Sequence, residues 1–361
     1  VRKQSAGSLA GVAFFIKYLT NMTKLFLCVG LFFFTLTSNA QYRNLVFQGG
    51  GVRGIAYAGA VQVLEQKNII PQIENIGGTS AGSIIGLMLC LGYSSSEIYT
   101  IMIDLNIQHF NDGAGGIFGK YERTKKKFGL HKGDTFADWL ENLVKQKTGI
   151  PLLNFYQLDS LRKTNSSFKS FYCVGTNLTK QRAEIFSLAT TPNMPVKTAV
   201  RISSSIPFFY EPILLDSSGK EPIDPVKDYP YQVYVDGGIT QNYPIDLFDS
   251  CVSGGVPLFC DSIIYNPHTL GFKLERGAQI NQYKISMELA PYNIKNIKEY
   301  TDAFISFSLH SLNNKPGLEN EKGRTVYISY GDISAKPRKL SKEEKDILFN
   351  NGKEATEAFF K

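Results

Sequence analysis

Apolar and polar positions fall in alternating short blocks along the chain, and block length separates predicted strands from predicted helices. Residues 44–48 form an apolar run that ends in glycines, which predicts a first buried strand and a tight loop. Residues 55–67 are alanine-rich with helical spacing, so a helix starts at that loop. A second short strand is predicted at 73–76, and the wholly apolar stretch 81–91 predicts a buried helix. Ser94-Ser95-Ser96-Glu97 is a capping box opening a helix that runs to about Asn106. Another helix is predicted over 136–147. Strands at 168–177 and 183–187 bracket Leu178-Thr179-Lys180-Gln181 as a hairpin. Residues 196–203 predict a helix stopped by Pro207. Strands follow at 233–236, 262–265 and 325–330, with helices over 295–312 and from Ser341 onward. Strands alternating with helices predict a three-layer α/β/α fold on a mainly parallel sheet.

Three stretches interrupt the pattern. Residues 111–132 combine Gly113, Gly115 and Gly116 with Lys120, Arg123, Lys125, Lys126 and Lys127. They read as a solvated loop, with a cover over the site or contact with an anionic membrane surface as alternatives. Residues 221–231 hold three prolines and read as an excursion ending in a strand. The first 40 residues carry Arg2, Lys3, Lys17 and Lys24 and no acid. From Met22 a short basic segment leads into an apolar run at 25–36 and then small residues, the pattern of an export signal cleaved after Ala40. That run falls short of the roughly 20 apolar residues a membrane span needs. The expected organisation is an extension and signal at 1–40, and one catalytic domain at 41–361 in a periplasm or outside the cell.

Export changes the meaning of the charge. The formal net charge of +7 loses the four cations of residues 1–40 and becomes +3. So small an excess argues against a nucleic-acid partner. Of the five cysteines, Cys28 lies in the apolar run; Cys90, Cys173, Cys251 and Cys260 remain. They are too few for a disulfide scaffold, and their spacing fits no zinc site. Cys251 and Cys260 pair across a turn or stay as buried thiols.

The chemistry is concentrated in three glycine-rich motifs. Gly78-Thr79-Ser80-Ala81-Gly82 is a GxSxG elbow, in which small neighbours let a serine sit on a cramped strand-to-helix turn with its Oγ exposed. One strand earlier lies Gly49-Gly50-Gly51-Val52-Arg53-Gly54. The N–H groups of this loop and of Ala81 suit an oxyanion hole, with Arg53 and Gly54 steadying the loop. Asp236-Gly237-Gly238 offers a carboxylate at a strand end, able to act as base once burial raises its pKa. Nucleophile, anion cradle and base together point to a hydrolase. An α/β-hydrolase triad of Ser80, Asp236 and either His268 or His310 is one alternative, although the nucleophile comes early for that fold. A nucleotide-binding Rossmann module, with Glu74 as its acid, is the other.

Taken together, these motifs resemble the patatin-like phospholipase family over most of residues 44–360. The block Arg201-Ile202-Ser203-Ser204-Ser205-Ile206-Pro207-Phe208-Phe209-Tyr210-Glu211-Pro212 fits the same family pattern. The resemblance implies a Ser-Asp dyad without histidine, with Ser80 as nucleophile, Asp236 as base and the loop from Gly49 to Gly54 as oxyanion hole. It further implies lipid or phospholipid esters as substrates and no metal or other cofactor. Gly238 stands where many family members carry alanine.

Overall fold

In the computed structural model, the described residues are 41–221, 230–251, 263–286, 288–313 and 321–361. The expected export signal at 1–40, most of the 221–231 excursion and Cys260 lie outside them.

The chain begins with strand β1 (Asn44–Phe47), helix α1 (Ile55–Gln66), strand β2 (Asn75–Thr79) and helices α2 (Ala81–Cys90) and α3 (Ser95–Asp104). Next come α4 (Gly116–Lys127), β3 (Gly129–His131), α5 (Asp134–Thr148) and α6 (Phe155–Thr164). The hairpin is β4 (Ser170–Asn177) with β5 (Arg182–Phe186), followed by α7 (Val196–Ser203), β6 (Phe208–Tyr210), β7 (Ile213–Leu215) and β8 (Gln232–Asp236). A short helix α8 (Gly238–Gln241) and the two-strand pair β9 (Ser250–Cys251) and β10 (Ile263–Ile264) lead to β11 (Thr269–Glu275). Helices α9 (Gly277–Gln282) and α10 (Ile297–Asn313), strand β12 (Thr325–Ser329) and helix α11 (Lys342–Phe359) complete the order.

The main sheet runs β12-β11-β1-β2-β4-β8-β7, with β5 paired to β4. Pairings from β12 through β4 are parallel; β8, β7 and β5 are antiparallel to their neighbours. Helices cover both faces of this mostly parallel sheet, and α1 packs against α11 and α3 on one of them. Beneath α1, Phe47 stacks on Phe272 at 5.0 Å between ring centroids and meets Tyr57 edge-on at 5.2 Å.

Register brings the two ends of the site together. Strand β2 runs parallel to β4 until Thr79 faces Val174, whereas β8 runs antiparallel until Asp236 faces Gly175. The C-terminal ends of β2 and β8 therefore approach each other along β4, one residue apart. Side chains following Thr79 and ending β8 have to meet there.

Several expectations are corrected. The 111–132 segment is largely ordered as α4 and β3, and β3 pairs in parallel with β6. Lys, Glu, Arg and Tyr are adequate helix formers once the glycines end. The second strand begins at Asn75 and continues through Gly77 and Gly78, because Ile73 follows a short 3-10 turn. Helix α6, opened by an Asn154–Gln157 capping box, and the central strand β11 were not anticipated. Cys90 and Cys173 are buried free thiols, and Cys251 is disulfide-bonded.

Candidate active site

Ser80 occupies the turn between β2 and α2 with φ 50° and ψ −124°, a conformation that L-residues rarely adopt. Four hydrogen bonds hold it there. Its N–H donates to Ser203 Oγ at 2.9 Å, and its carbonyl accepts from the N–H of Ser83 (2.8 Å), the N–H of Ile84 (3.2 Å) and the Ser83 hydroxyl (2.6 Å). The small neighbours are needed sterically: a Cβ on Gly82 would lie 2.2 Å from the Phe47 carbonyl oxygen. Helix α2 thus starts directly beside the hydroxyl, with the positive end of its dipole towards any developing anion.

The Ser80 hydroxyl donates to Asp236 Oδ2 at 2.7 Å. The other carboxylate oxygen, Oδ1, accepts from the Gly238 N–H at 2.7 Å, and the Asp236 N–H donates to the Ser205 carbonyl at 2.9 Å. Burial raises the Asp236 pKa from 3.8 to about 6, against the opposing effect of the Gly238 and Ser80 hydrogen bonds. A carboxylate of that pKa is ionised at neutral pH and more basic than a free aspartate.

The glycine loop lies beside this pair. Gly51, with φ +56°, lines the same cleft as Ser80 and Ala81. The N–H groups of Gly50, Gly51 and Ala81 have no protein acceptor among the described residues. For Ala81 this follows from its place in the first turn of α2. Gly49 differs from expectation: its N–H donates to the Asn242 carbonyl at 3.0 Å, so it is not free to hold an oxyanion. Gly49 instead packs closely, since a Cβ there would stand 3.1 Å from Ser80 Cβ. Arg53 donates to the Ile333 carbonyl at 2.6 Å and stacks on Tyr330 at 3.5 Å, which anchors the loop from behind. Gly54 packs against the Ala81 Cβ, Gly78 against the Gly82 backbone, and Gly237 against the Val174 carbonyl. Thr79 Oγ1 donates to the Gln241 carbonyl at 2.9 Å.

The rest of the cleft is mainly apolar, walled by Val52, Ile55, Ile84, Met102, Phe136 and Tyr210, with Arg338 and Lys345 also in its lining. Ser204 also lines this cleft, and its buried Oγ has no hydrogen-bond partner among the described residues. Phe209 packs against His131 instead of entering the cleft, and Phe208 points outward.

The profile of the family described as patatin-like phospholipase matches residues 45–249. The chain belongs to the patatin-like phospholipase family. It is 29% identical over 333 residues to "Uncharacterized protein YqhO" of Bacillus subtilis (strain 168), covering 89% of this chain and 99% of that one. It is 28% identical over 212 residues to "Probable lipid hydrolase 463L" of Invertebrate iridescent virus 6, covering 57% of this chain. The match spans 63% of that viral relative's length. Among solved structures, VipD from Legionella pneumophila superposes with a TM-score of 0.56 at 19% identity, over 88% of this chain and 66% of that one. This last likeness is one of fold.

The residues that the alternative readings would need are not hydrogen-bonded to Ser80 or Asp236 in the described structure. No histidine is among the hydrogen-bond partners of Ser80 or Asp236. His310 lies on α10, and His131 is buried with Nδ1 beside the Asp112 carbonyl at 3.2 Å. Glu74 immediately precedes β2, at the opposite end of that strand from the glycine loop, and pairs with Arg43 at 3.3 Å. It is far from where a ribose acid would stand. No cluster of His, Cys, Asp or Glu able to hold a metal occurs among the described residues.

Two groups of supporting residues escaped the motif reading. Ser203 and Ser205 hold the backbones of Ser80 and Asp236 respectively, so one serine run braces both partners. Asn242 joins the glycine loop to the Asp turn: its carbonyl accepts from Gly49 N–H, and its Nδ2 donates to the Gly49 carbonyl at 3.3 Å. The only signal for the serines was their place in the block from Arg201 to Pro212; for Asn242 there was none.

Proposed function

We propose that the protein is a serine acyl hydrolase that cleaves fatty-acyl ester bonds of lipids through a Ser80–Asp236 dyad and an acyl-enzyme. The observation that carries this reading is the 2.7 Å hydrogen bond from Ser80 Oγ to Asp236 at the polar end of an apolar cleft. Family membership and a relative named as a lipid hydrolase support it.

In the first step Asp236 takes the Ser80 proton as Oγ attacks the acyl carbonyl. The carbonyl oxygen becomes an anion and turns to the N–H groups of Ala81, Gly51 and Gly50. Collapse of this intermediate expels the lipid alcohol, which recovers the proton from Asp236 and leaves the acyl chain on Ser80. Water, deprotonated by the same carboxylate, then releases the fatty acid. Backbone donors held by the loop and the helix start would need little reorganisation as the charge develops.

The test offers purified protein a panel of phospholipids, neutral lipids and short esters, with mass spectrometry of the products. Free fatty acid is expected from at least one lipid, and Ser80→Ala is expected to lose at least about a thousandfold in rate. Full activity in Ser80→Ala would end this reading. Export remains a separate proposal, resting on the pattern of residues 22–40 and checked by finding Gln41 at the N-terminus of the secreted chain.

A further inference from the structure

We propose that α4 and the adjoining β3–β6 edge form a docking surface for an anionic lipid bilayer. The proposal rests on the lipid-hydrolase reading and specifies where that enzyme meets its substrate phase.

Helix α4 is turned the wrong way round for a helix that faces water. Its inner side is polar: Arg123 Nε donates to the Leu130 carbonyl at 3.1 Å and lies 3.8 Å from Glu211. These contacts fix the rotation of the helix about its axis. The opposite side then presents Phe118, Tyr121 and Lys125 at helical spacing, with Phe118 85% and Tyr121 64% exposed. The aromatic surface continues past the helix end. Phe128 and Phe208 are both exposed, Gly129 pairs with Phe208, and the two phenylalanines border one groove. Both adopt positive φ, 65° and 66°, a conformation normally given to glycine at such positions. Aromatic side chains held outward on a strained backbone contribute little to folding, but they suit insertion at a lipid headgroup boundary.

Charge selects the occupant. Residues 116–132 carry Lys120, Arg123, Lys125, Lys126, Lys127 and Lys132 against the single acid Glu122. Glu122 pairs with Lys126 at 2.7 Å, and Glu211, just after β6, lies 3.8 Å from Arg123 and 3.9 Å from Lys127. With Arg123 on the inner side and Lys132 3.8 Å from Asp134, Lys120, Lys125, Lys126 and Lys127 against Glu122 leave a cation excess suited to anionic headgroups. The location also fits. Phe128 and Phe208 border a shallow groove whose wall residue Tyr210 lines the catalytic cleft as well. Helix α10 also shows exposed apolar residues, Ile297, Tyr300, Phe304 and Phe307, but it carries Glu299 and Asp302 and no such cation excess.

The experiment is co-sedimentation with vesicles of phosphatidylcholine alone or mixed with phosphatidylglycerol, beside hydrolysis of a soluble short-chain ester. Wild-type protein and Ser80→Ala are expected to bind the mixed vesicles at least tenfold more tightly than pure phosphatidylcholine. The double variants Phe118→Ser with Tyr121→Ser, and Lys125→Glu with Lys126→Glu, are expected to lose about tenfold or more in binding to mixed vesicles. Their hydrolysis of the soluble ester should equal wild type, which also shows that they are folded. Equal binding to both vesicle types, wild-type binding by both double variants, or loss of binding on Phe304→Ser with Phe307→Ser alone would overturn the proposal. Absence of ester and lipid hydrolysis in wild type would sink the catalytic reading instead, while the vesicle result would still decide the surface.

Discussion

The backbone N–H of Ser80 donates to the hydroxyl of Ser203 at 2.9 Å, which ties the elbow to the end of α7. The bond stabilises a serine whose backbone would otherwise relax out of its positive-φ conformation. Ser203→Ala leaves that N–H buried without an acceptor. The expected result is a loss of about 1–3 kcal/mol in unfolding free energy, measured by urea titration. It should be accompanied by a fall in kcat that exceeds any change in KM.

The proposed base, Asp236, is expected to set the pH dependence of the rate. The proposed base works only when ionised, so kcat/KM is expected to rise with pH along a limb centred near 6. Initial rates on a soluble ester between pH 4 and pH 8 measure it, and a limb centred near 4 would contradict the assignment.

The same shift has a consequence for stability. Because the folded pKa lies above the unfolded value, stability linked to this group is full below 3.8 and declines as pH rises to about 6. A shift of that size corresponds to about 3 kcal/mol. Asp236→Asn is therefore expected to be inactive, yet more stable than wild type at pH 8, with the advantage vanishing near pH 4. Thermal unfolding of the two proteins at both pH values checks this.

Ser204 is expected to show the same separation of stability from activity. Its buried Oγ has no hydrogen-bond partner among the described residues, and the residue lines the same cleft as Ser80 and Ala81. Ser204→Ala should leave the melting temperature unchanged or slightly raised. An expected loss of roughly tenfold in kcat/KM would show that the hydroxyl serves the bound ester. Unaltered kinetics would assign it no part in the reaction.

Arg201 carries a structural load. This buried guanidinium donates to the carbonyls of Gly133, Lys132 and Glu211 at 3.1, 2.7 and 3.2 Å, and also bonds to Ser205 Oγ. Its alanine variant strands those acceptors without donors, and is expected to lose about 3 kcal/mol or more of stability in denaturant unfolding.

The parts of the site legible in the sequence are those that require glycine. An elbow serine needs small neighbours on both sides, and a loop that presents N–H groups needs a backbone free of side chains. Gly78, Gly82 and Gly51 therefore advertise their surroundings. Ser203 acts through one hydrogen bond and Asn242 through two to Gly49, and a single serine or asparagine has many other uses. Strand β11 was hidden because Lys273 interrupts its apolar run. The structure buries that lysine among Tyr243, Tyr283 and Tyr327, and places Glu275 3.5 Å away. Helix α4 escaped for a related reason: it attaches to the fold through Arg123 and backbone carbonyls, not through an apolar stripe. Helix α6 did carry a signal, its Asn154–Gln157 capping box.

Strand β4 acts as a gauge for the chemistry. Thr79 and Asp236 are set against consecutive residues, Val174 and Gly175, so a single peptide unit of a third strand meters the gap between the strand ends that carry Ser80 and Asp236. One residue inserted there would widen it by about 3.3 Å and turn the following side chains to the opposite face. Lengthening the connections that lead into β2 or β8 would leave it untouched. Loop surgery should thus reshape what the cleft admits without detuning the proton transfer.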